Sequence, residues 1–586
     1  MIWFLAILLP LLAALIARVV PAGRPGVGLI LACATLPAFL LALGGVSGVT
    51  TQWLLLETHF SLDTPRRIIL LLTAILWALA GLFAGEYLKN DSRRGEFSFY
   101  FGTAMAGNFG LLVSGDVASF YTFFALMTFA SYGLVIHTRT QSARWAAKVY
   151  IVMAIIGELF LITALYLAVK SSGSLILADI PRALANAPNG SLIFLIGLIG
   201  FGVKVGAIPL YFWLPLAHPA APAPASAVLS GAMIKAGLVG WMHLAPVGLV
   251  EWHSLSLLMV SLGFTATLGA AIIGLTQVDP KTNLAYSSIS QMGLMTALLG
   301  MGLKGGIPAG LLLPAIALFA FNHGTAKALL FLGTALPSKV GGYWRIIMWV
   351  GLGVGVFAIA GGPLTGGLWT KYLLKSFLGE TSLPGVQVFL LLLLLSTITT
   401  TLLLSRFLHL LQRIEAPHYR GAPALLLPWM LLLIAGGWWT MSSSLLPAEL
   451  LNHIAGKKGL LGVFWNPLAN WKALWPIMTG AGIMVLTLKL AHLNWWPKEK
   501  PLIPPGDFLQ PIFLAGKRVA NILRKGISLL QPLLKSAKNP EQVLYRIFDD
   551  KRTSQISESV ETLFRRWDFV GVCFFIFFLS LFFFLR

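Results

Sequence analysis

Apolar runs about as long as a bilayer is thick recur from residue 2 to the end of the chain, and no other feature constrains its fold as strongly. A helix needs about 20 apolar residues to span the hydrocarbon core. Only helices and closed barrels satisfy every backbone N–H and C=O in lipid. Roughly sixteen such runs can be placed. They lie near 2–20, 27–46, 66–86, 99–114, 117–137, 147–169, 191–211, 225–247, 254–276, 283–302, 308–336, 346–379, 385–411, 422–440, 472–493 and 567–585. The chain is 57% hydrophobic and 11% charged, and its mean hydropathy of +0.82 is foreign to soluble domains. The expected fold class is an all-α polytopic membrane protein. The first run lacks the basic start and small-residue cleavage site of a signal peptide, so it is expected to remain as the first helix.

The net charge of +21 does not point to nucleic acid, because the basic residues sit in short loops and one late segment rather than on a soluble domain. Alternate loops carry Arg24; Lys89, Arg93 and Arg94; Arg139, Arg144 and Lys148; Lys281; Lys339 and Arg345; and Arg413 and Arg420. The intervening loops are poorer in basic residues, with Arg66, Arg67, Lys457 and Lys458 as exceptions. That bias puts the basic loops in the cytoplasm and the N-terminus outside. Cys33 and Cys573 lie far apart inside apolar runs, which excludes a disulfide or thiolate site and reads them as small buried hydrophobes.

Two runs are interrupted. The run 191–211 meets Gly202, Gly206 and Pro209 and enters a Pro-rich loop, and Gly361-Gly-Pro-Leu-Thr-Gly-Gly breaks the run 346–379. Backbone groups freed by such breaks cannot stay unpaired in lipid. Discontinuous helices in two separated halves indicate a transporter built from inverted repeats, with its site near the midplane. The tail changes character, since 507–566 interleaves Lys517, Arg518, Arg524, Lys525, Lys535 and Lys538 with Ile, Leu and Phe before a final apolar run. An amphipathic interfacial helix followed by an anchor is expected there. The organisation reads as N-terminal helices 1–98, a core 99–411, further helices 412–496, a lateral-helix segment 497–566 and an anchor 567–586.

Charged residues inside the spans carry the functional signal. A charge at a span centre costs about 2.5–3.5 kcal/mol on insertion scales and marks an ion or proton path by default. Glu158, Lys204, Lys235 and Lys327 lie well inside apolar runs, Lys371 follows the break at Pro363, and His323 shares a helix face with Lys327 one turn away. Desolvation favours a neutral lysine and a nearby carboxylate favours a charged one, so such groups can take up and release protons as their surroundings change. Lys148, Lys170, Lys375 and His243 sit near span ends, where snorkelling or a loop position accounts for them. No nucleotide loop, thiolate cluster, haem-ligand pattern or flavin motif is present, so no cofactor or metal is expected in this chain.

The segment Gly202-Val-Lys-Val-Gly-Ala-Ile-Pro-Leu-Tyr-Phe-Trp-Leu-Pro-Leu-Ala-His-Pro-Ala-Ala-Pro-Ala-Pro-Ala-Ser-Ala-Val-Leu-Ser-Gly-Ala-Met-Ile-Lys-Ala-Gly closely resembles the core motif of the antiporter-like subunits of respiratory complex I, of Mrp-type cation/proton antiporters and of membrane-bound hydrogenases. Gln277-Val-Asp-Pro-Lys-Thr-Asn-Leu-Ala-Tyr-Ser-Ser-Ile-Ser-Gln-Met-Gly, Asn322-His-Gly-Thr-Ala-Lys-Ala-Leu-Leu-Phe-Leu and Gly361-Gly-Pro-Leu-Thr-Gly-Gly-Leu-Trp-Thr-Lys extend the resemblance over about residues 100–380. It implies that Lys204 is the lysine of the broken seventh helix, Lys235 that of the eighth, His323 and Lys327 a linking pair, and Lys371 the ionisable group of the broken twelfth helix. The tail is similar to the lateral helix and last anchor of the longest complex I subunit of this kind.

One position departs from the family. Its fifth helix usually carries Trp-Glu after Asp-x-x-x-x-Tyr, and that glutamate pairs with the seventh-helix lysine. Here Asp116-Val-Ala-Ser-Phe-Tyr is followed by Phe124 and Ala125, and Glu158 on the next helix is expected to take the modulating role. The resemblance implies a proton- or sodium-translocating subunit of a multi-subunit complex in a bacterial inner (plasma) membrane, any redox chemistry belonging to its partners. Two alternatives stand beside it: an ion conduit serving a soluble zinc partner in inorganic-carbon uptake, and a scaffold that does not pump.

Overall fold

The computed structural model describes residues 1–21, 25–44, 47–51, 57–381, 383–415, 423–441, 446–455, 465–489 and 500–506. All of them belong to one compact unit, Met1–Asp507. The expected amphipathic segment, the final anchor, Cys573, Arg24, Arg420, Lys457 and Lys458 lie outside the described residues.

Helices follow one another almost without interruption: α1 (Ile2–Val19), α2 (Val27–Cys33), α3 (Leu36–Gly44), α4 (Thr64–Tyr87), α5 (Arg94–Val113), α6 (Val117–Val135) and α7 (Gln141–Ser172). Then come α8 (Ile180–Asn186), α9 (Gly190–Val205), α10 (Leu214–Ala220), α11 (Ala223–Val228), α12 (Ile234–Leu244), α13 (His253–Leu275) and α14 (Pro280–Met301). The remainder are α15 (Ala309–Gly333), α16 (Trp344–Ala360), α17 (Gly366–Glu380), α18 (Val386–Gln412), α19 (Pro423–Met441), α20 (Ala448–Ala455) and α21 (Pro467–Lys489). A short hairpin, β1 (Val49–Thr51) and β2 (Thr58–Phe60), pairs antiparallel with Thr50 opposite His59. It marks one face of the bundle, the hairpin side, from which α4 and α6 depart.

Helix starts obey capping chemistry. Asp63, Asp116 and Asp279 each accept a backbone N–H three residues on, with proline at the first turn of α4 and α14. Asp116 also accepts the backbone N–H of His59 at 2.8 Å, which ties the hairpin to α6.

Among the described residues, ten helical segments are long and apolar enough to cross a membrane, and three shorter apolar helices accompany them. The expectation of roughly sixteen equivalent spans from run length is not reproduced in that form, for three reasons. The two interrupted runs resolve into half-helices, α9 and α16 among them; α5 and α14 are too polar, and the apolar part of α19 too short, to qualify; and the last run is outside the described set. α14 shows why composition misleads here: it is buried continuously from Thr282 to Met301, so it packs against protein rather than lipid. Cys33 corrects a second expectation, since it is exposed at the end of α2 rather than buried.

Both discontinuities are present. α9 ends at Gly206 (φ 76°) and α16 at Gly361 (φ 88°), left-handed conformations that glycine alone adopts without strain. α9 enters from the hairpin side and α16 from the opposite side, the relation inverted repeats require.

Candidate functional site

The first cluster lies where α6, α7 and α9 meet. Lys204 is buried one residue before the end of α9, and its Nζ donates to Tyr150 Oη of α7 at 3.1 Å. Tyr150 in turn donates to the Thr128 carbonyl of α6 at 2.8 Å. Trp213, just past the break, donates Nε1 to the Val203 carbonyl at 2.7 Å and so satisfies a group the broken helix exposes. Glu158 and Lys204 line one small cavity of about 20 Å³ together with Phe124, Thr128, Tyr150 and Val203. That is room for a single water. Both carboxylate oxygens of Glu158 are buried, and Glu158 makes no ion pair with Lys204 despite sharing the cavity. The carboxyl faces Tyr121 and Thr128 of α6. Those residues flank Ala125 one turn to either side, so Glu158 reaches from α7 to the α6 face whose own acid is absent.

The second cluster is organised by a π-helical turn, Leu229–Met233, between α11 and α12. A π turn shifts the hydrogen-bond ladder by one residue and leaves carbonyls available. Lys235 uses one of them, donating Nζ to the Ser230 carbonyl at 2.6 Å, and stands 3.0 Å from His323 Nδ1. His323 Nε2 is buried without a partner. Lys327, one turn along α15 and fully buried, donates to the Leu284 carbonyl of α14 at 2.8 Å. Ser288 Oγ donates to the same carbonyl at 3.1 Å and lies 2.7 Å from Ser230 Oγ. Lys235 and Lys327 are therefore joined through Ser230, Ser288 and the Leu284 carbonyl, while His323 adds a contact to Lys235.

From there polar groups continue along α14 and α18. Gln291, one turn beyond Ser288, donates to Thr400 Oγ1 at 3.3 Å. Ser396 lies one turn before Thr400, and Lys371 donates to Ser396 Oγ at 3.1 Å. The stem of Lys371 packs over Gly361, where a Cβ would lie 2.8 Å from Lys371 Cγ, so the break in α16 and α17 seats this side chain.

Each residue singled out from the sequence thus has a defined place. Glu158 and Lys204 share a cavity, and Lys235, His323, Lys327 and Lys371 lie along one polar line. Lys148, Lys170 and Lys375 are exposed, and His243 is half-buried. Sequence reasoning missed Tyr150, Ser230, Ser288, Gln291, Thr400 and Ser396. A usable signal existed for some of them, because Ser287-Ser-Ile-Ser-Gln is a polar stretch inside what must be a span. His218 was missed as well; it is buried, stacks on Phe331 at 4.4 Å, and has both ring nitrogens unpartnered. Among the described residues no His, Cys, Asp and Glu group could hold a metal ion.

Residues 114–400 match the family model described as NADH:quinone oxidoreductase/Mrp antiporter, transmembrane. Hydrogenase-4 component B of Escherichia coli is 31% identical over 285 residues, 46% of this chain and 42% of that protein. A Na(+)/H(+) antiporter subunit of Alkalihalophilus pseudofirmus is 27% identical over 344 residues, 54% of this chain and 67% of that one. The chain spans about half the length of the first curated relatives it matches, 42% and 54%. Among solved structures, the Mrp complex from Dietzia sp. DQ12-45-1b superimposes with a TM-score of 0.71 at 22% identity, covering 91% of this chain and 62% of that one. An archaeal membrane-bound sulfane sulfur reductase gives a TM-score of 0.62 at 20% identity over 81% of this chain and 99% of that one. The matched segment contains Glu158 and all four buried or half-buried lysines of the two clusters.

Proposed function

We propose that this chain, which over residues 114–400 carries the membrane domain of the NADH:quinone oxidoreductase/Mrp antiporter family, is a proton-translocating, antiporter-like subunit of a multi-subunit membrane complex. The observation that carries the reading is the polar line from Lys235 through Ser230, Ser288 and Lys327 to Lys371, laid through a bundle otherwise sealed by apolar side chains. Backbone carbonyls hold the ammonium groups in place. Hydroxyls and imidazole can each both donate and accept, so they pass the proton between them.

The Glu158–Lys204 cavity is the adjustable end. Opposite charges in a low-dielectric cavity attract strongly, so adding a proton to Glu158 releases Lys204 and removing it recaptures the lysine. A partner that changes the charge or hydration of this cavity thereby sets the state of the line. Protons suit the construction better than sodium, because no carboxylate pairs with Lys235, Lys327 or Lys371 among the described residues, and a bare cation needs several oxygen ligands. The clustering of Arg93, Arg94, Arg139 and Arg144 on the side opposite the hairpin supports a cytoplasmic position for those loops, an outside N-terminus and a bacterial inner membrane location.

The test is proton uptake by vesicles containing the assembled complex, with Lys204→Ala or Glu158→Ala in this chain. Each variant is expected to reduce uptake at least tenfold, about 1.4 kcal/mol of the barrier. Undiminished uptake in both ends this reading.

A further inference from the structure

The Glu158–Lys204 cavity has a thin wall toward the hairpin side, and that wall is made of rings. Phe124 of α6 lines the cavity. Its ring meets Phe201 of α9 edge to face at 5.5 Å, and Phe201 meets Phe120, one turn back along α6, at 5.9 Å. Phe120 packs edge to face on His243 at 5.4 Å. The seat of Phe201 is prepared by Gly240 of α12, one turn before His243, where a Cβ would overlap the Phe201 ring. From Phe124 to Phe120 is one helical turn, about 5–6 Å.

Beyond the rings the character changes at once. His243 is half-buried; its Nε2 is enclosed and has no hydrogen-bond partner. It lies close enough to Asp63 and Arg66 to feel both charges. Arg66 is already committed, with Nε on Asp63 Oδ2 at 2.9 Å and Nη1 on the Ser114 carbonyl at 2.5 Å. The Asp63 side chain is 50% exposed at the start of α4, on the hairpin side. One enclosed acid–base pair and one exposed acid are thus separated by aromatic packing a single turn thick. Narrow apolar constrictions of this kind gate by excluding water, and open when a ring moves.

We propose that Phe120, Phe124 and Phe201 form a hydrophobic gate between the Glu158–Lys204 cavity and the hairpin side, with His243 and Asp63 as the outer lining of that outlet. The role in transport rests on the proton-translocation reading above; the gate itself does not. When the rings close, the cavity exchanges protons only with its neighbours inside the bundle. When Phe201 or Phe120 swings aside, water connects Glu158 to His243 and Asp63.

The test uses the full chain in oriented membrane vesicles, in a Cys33→Ser, Cys573→Ser background with Ala154→Cys as a reporter in the cavity wall. A small membrane-impermeant thiosulfonate is applied from either side. Phe201→Ala is expected to accelerate labelling at least tenfold from the hairpin side only and to raise passive proton leak in parallel. Phe120→Ala serves as a second opening, and thermal melting identifies which variant remains folded. Unchanged labelling in a folded variant, or acceleration from the opposite side alone, overturns the gate. Undiminished uptake in both Lys204→Ala and Glu158→Ala would instead end the transport reading and leave the labelling result standing.

Discussion

The Glu158–Lys204 cavity and the line from Lys235 to Lys371 are built around the same residue type under opposite conditions. In the line every lysine is tied down: Lys235 to the Ser230 carbonyl, Lys327 to the Leu284 carbonyl and Lys371 to the Ser396 hydroxyl. In the cavity Lys204 holds one phenol, and the carboxylate opposite it forms no ion pair with it and faces the hydroxyls of Tyr121 and Thr128. Burying a carboxyl and an ammonium in one cavity without an ion pair between them is expensive. On the function proposed above, the line conducts and the cavity switches. No direct hydrogen bond among the described residues joins Lys204 or Tyr150 to Lys235; the packed helices α9 and α12 lie between the two regions.

The sharpest way to break this contrast is to cut the line. Lys327→Met removes the ammonium shared between Leu284 and the neighbourhood of His323, and proton uptake by vesicles of the complex is expected to fall more than tenfold. Retention of near-normal uptake would mean that the serines and water suffice alone. Next comes the cavity. Glu158→Gln and Lys204→Met are expected to be strongly non-additive, with a coupling of about 1–3 kcal/mol in a double-mutant cycle on uptake rate. Simple additivity would show that the two groups do not act as a pair.

Smaller effects sharpen the picture. Ser288→Ala removes one buried hydroxyl from the link between Lys235 and Lys327, worth about 1 kcal/mol, and should slow uptake about fivefold. An unchanged rate would place the traffic through His323 instead. Smallest in function but visible in stability is Gly240→Ala. The added methyl runs into Phe201, an overpacking that costs about 1–3 kcal/mol, measurable as a lowered melting temperature in detergent.

Much of this was legible without coordinates, for identifiable reasons. Lys204, Lys235 and Lys327 were conspicuous because each interrupts an apolar run and has no short route to the interface. The breaks at Gly206 and Gly361 were conspicuous because glycine and proline clusters cannot continue a helix. The supporting residues were hidden for the opposite reason. Ser230, Ser288, Thr400 and Ser396 are cheap to place in any helix, where a hydroxyl can bond its own turn, so their presence says nothing about which lysine they face. The π turn before Lys235 has no compositional mark. Nor does the ring wall of Phe120, Phe124 and Phe201, since phenylalanine inside a span is ordinary until three of them pack together and one is seated on a glycine.

The sequence by itself determined that this chain is a helical membrane protein with charges at depths where charge is costly, because hydropathy and burial cost depend on residue type and run length alone. It also placed Glu158 and Lys204 on neighbouring spans. Only the tertiary structure decided that those two share a cavity without pairing, and that each of the four lysines is held by a carbonyl or hydroxyl. Whether a buried charge is switch or wire depends on what faces it from another helix, and that is set by crossing geometry over distances in sequence that no local pattern encodes.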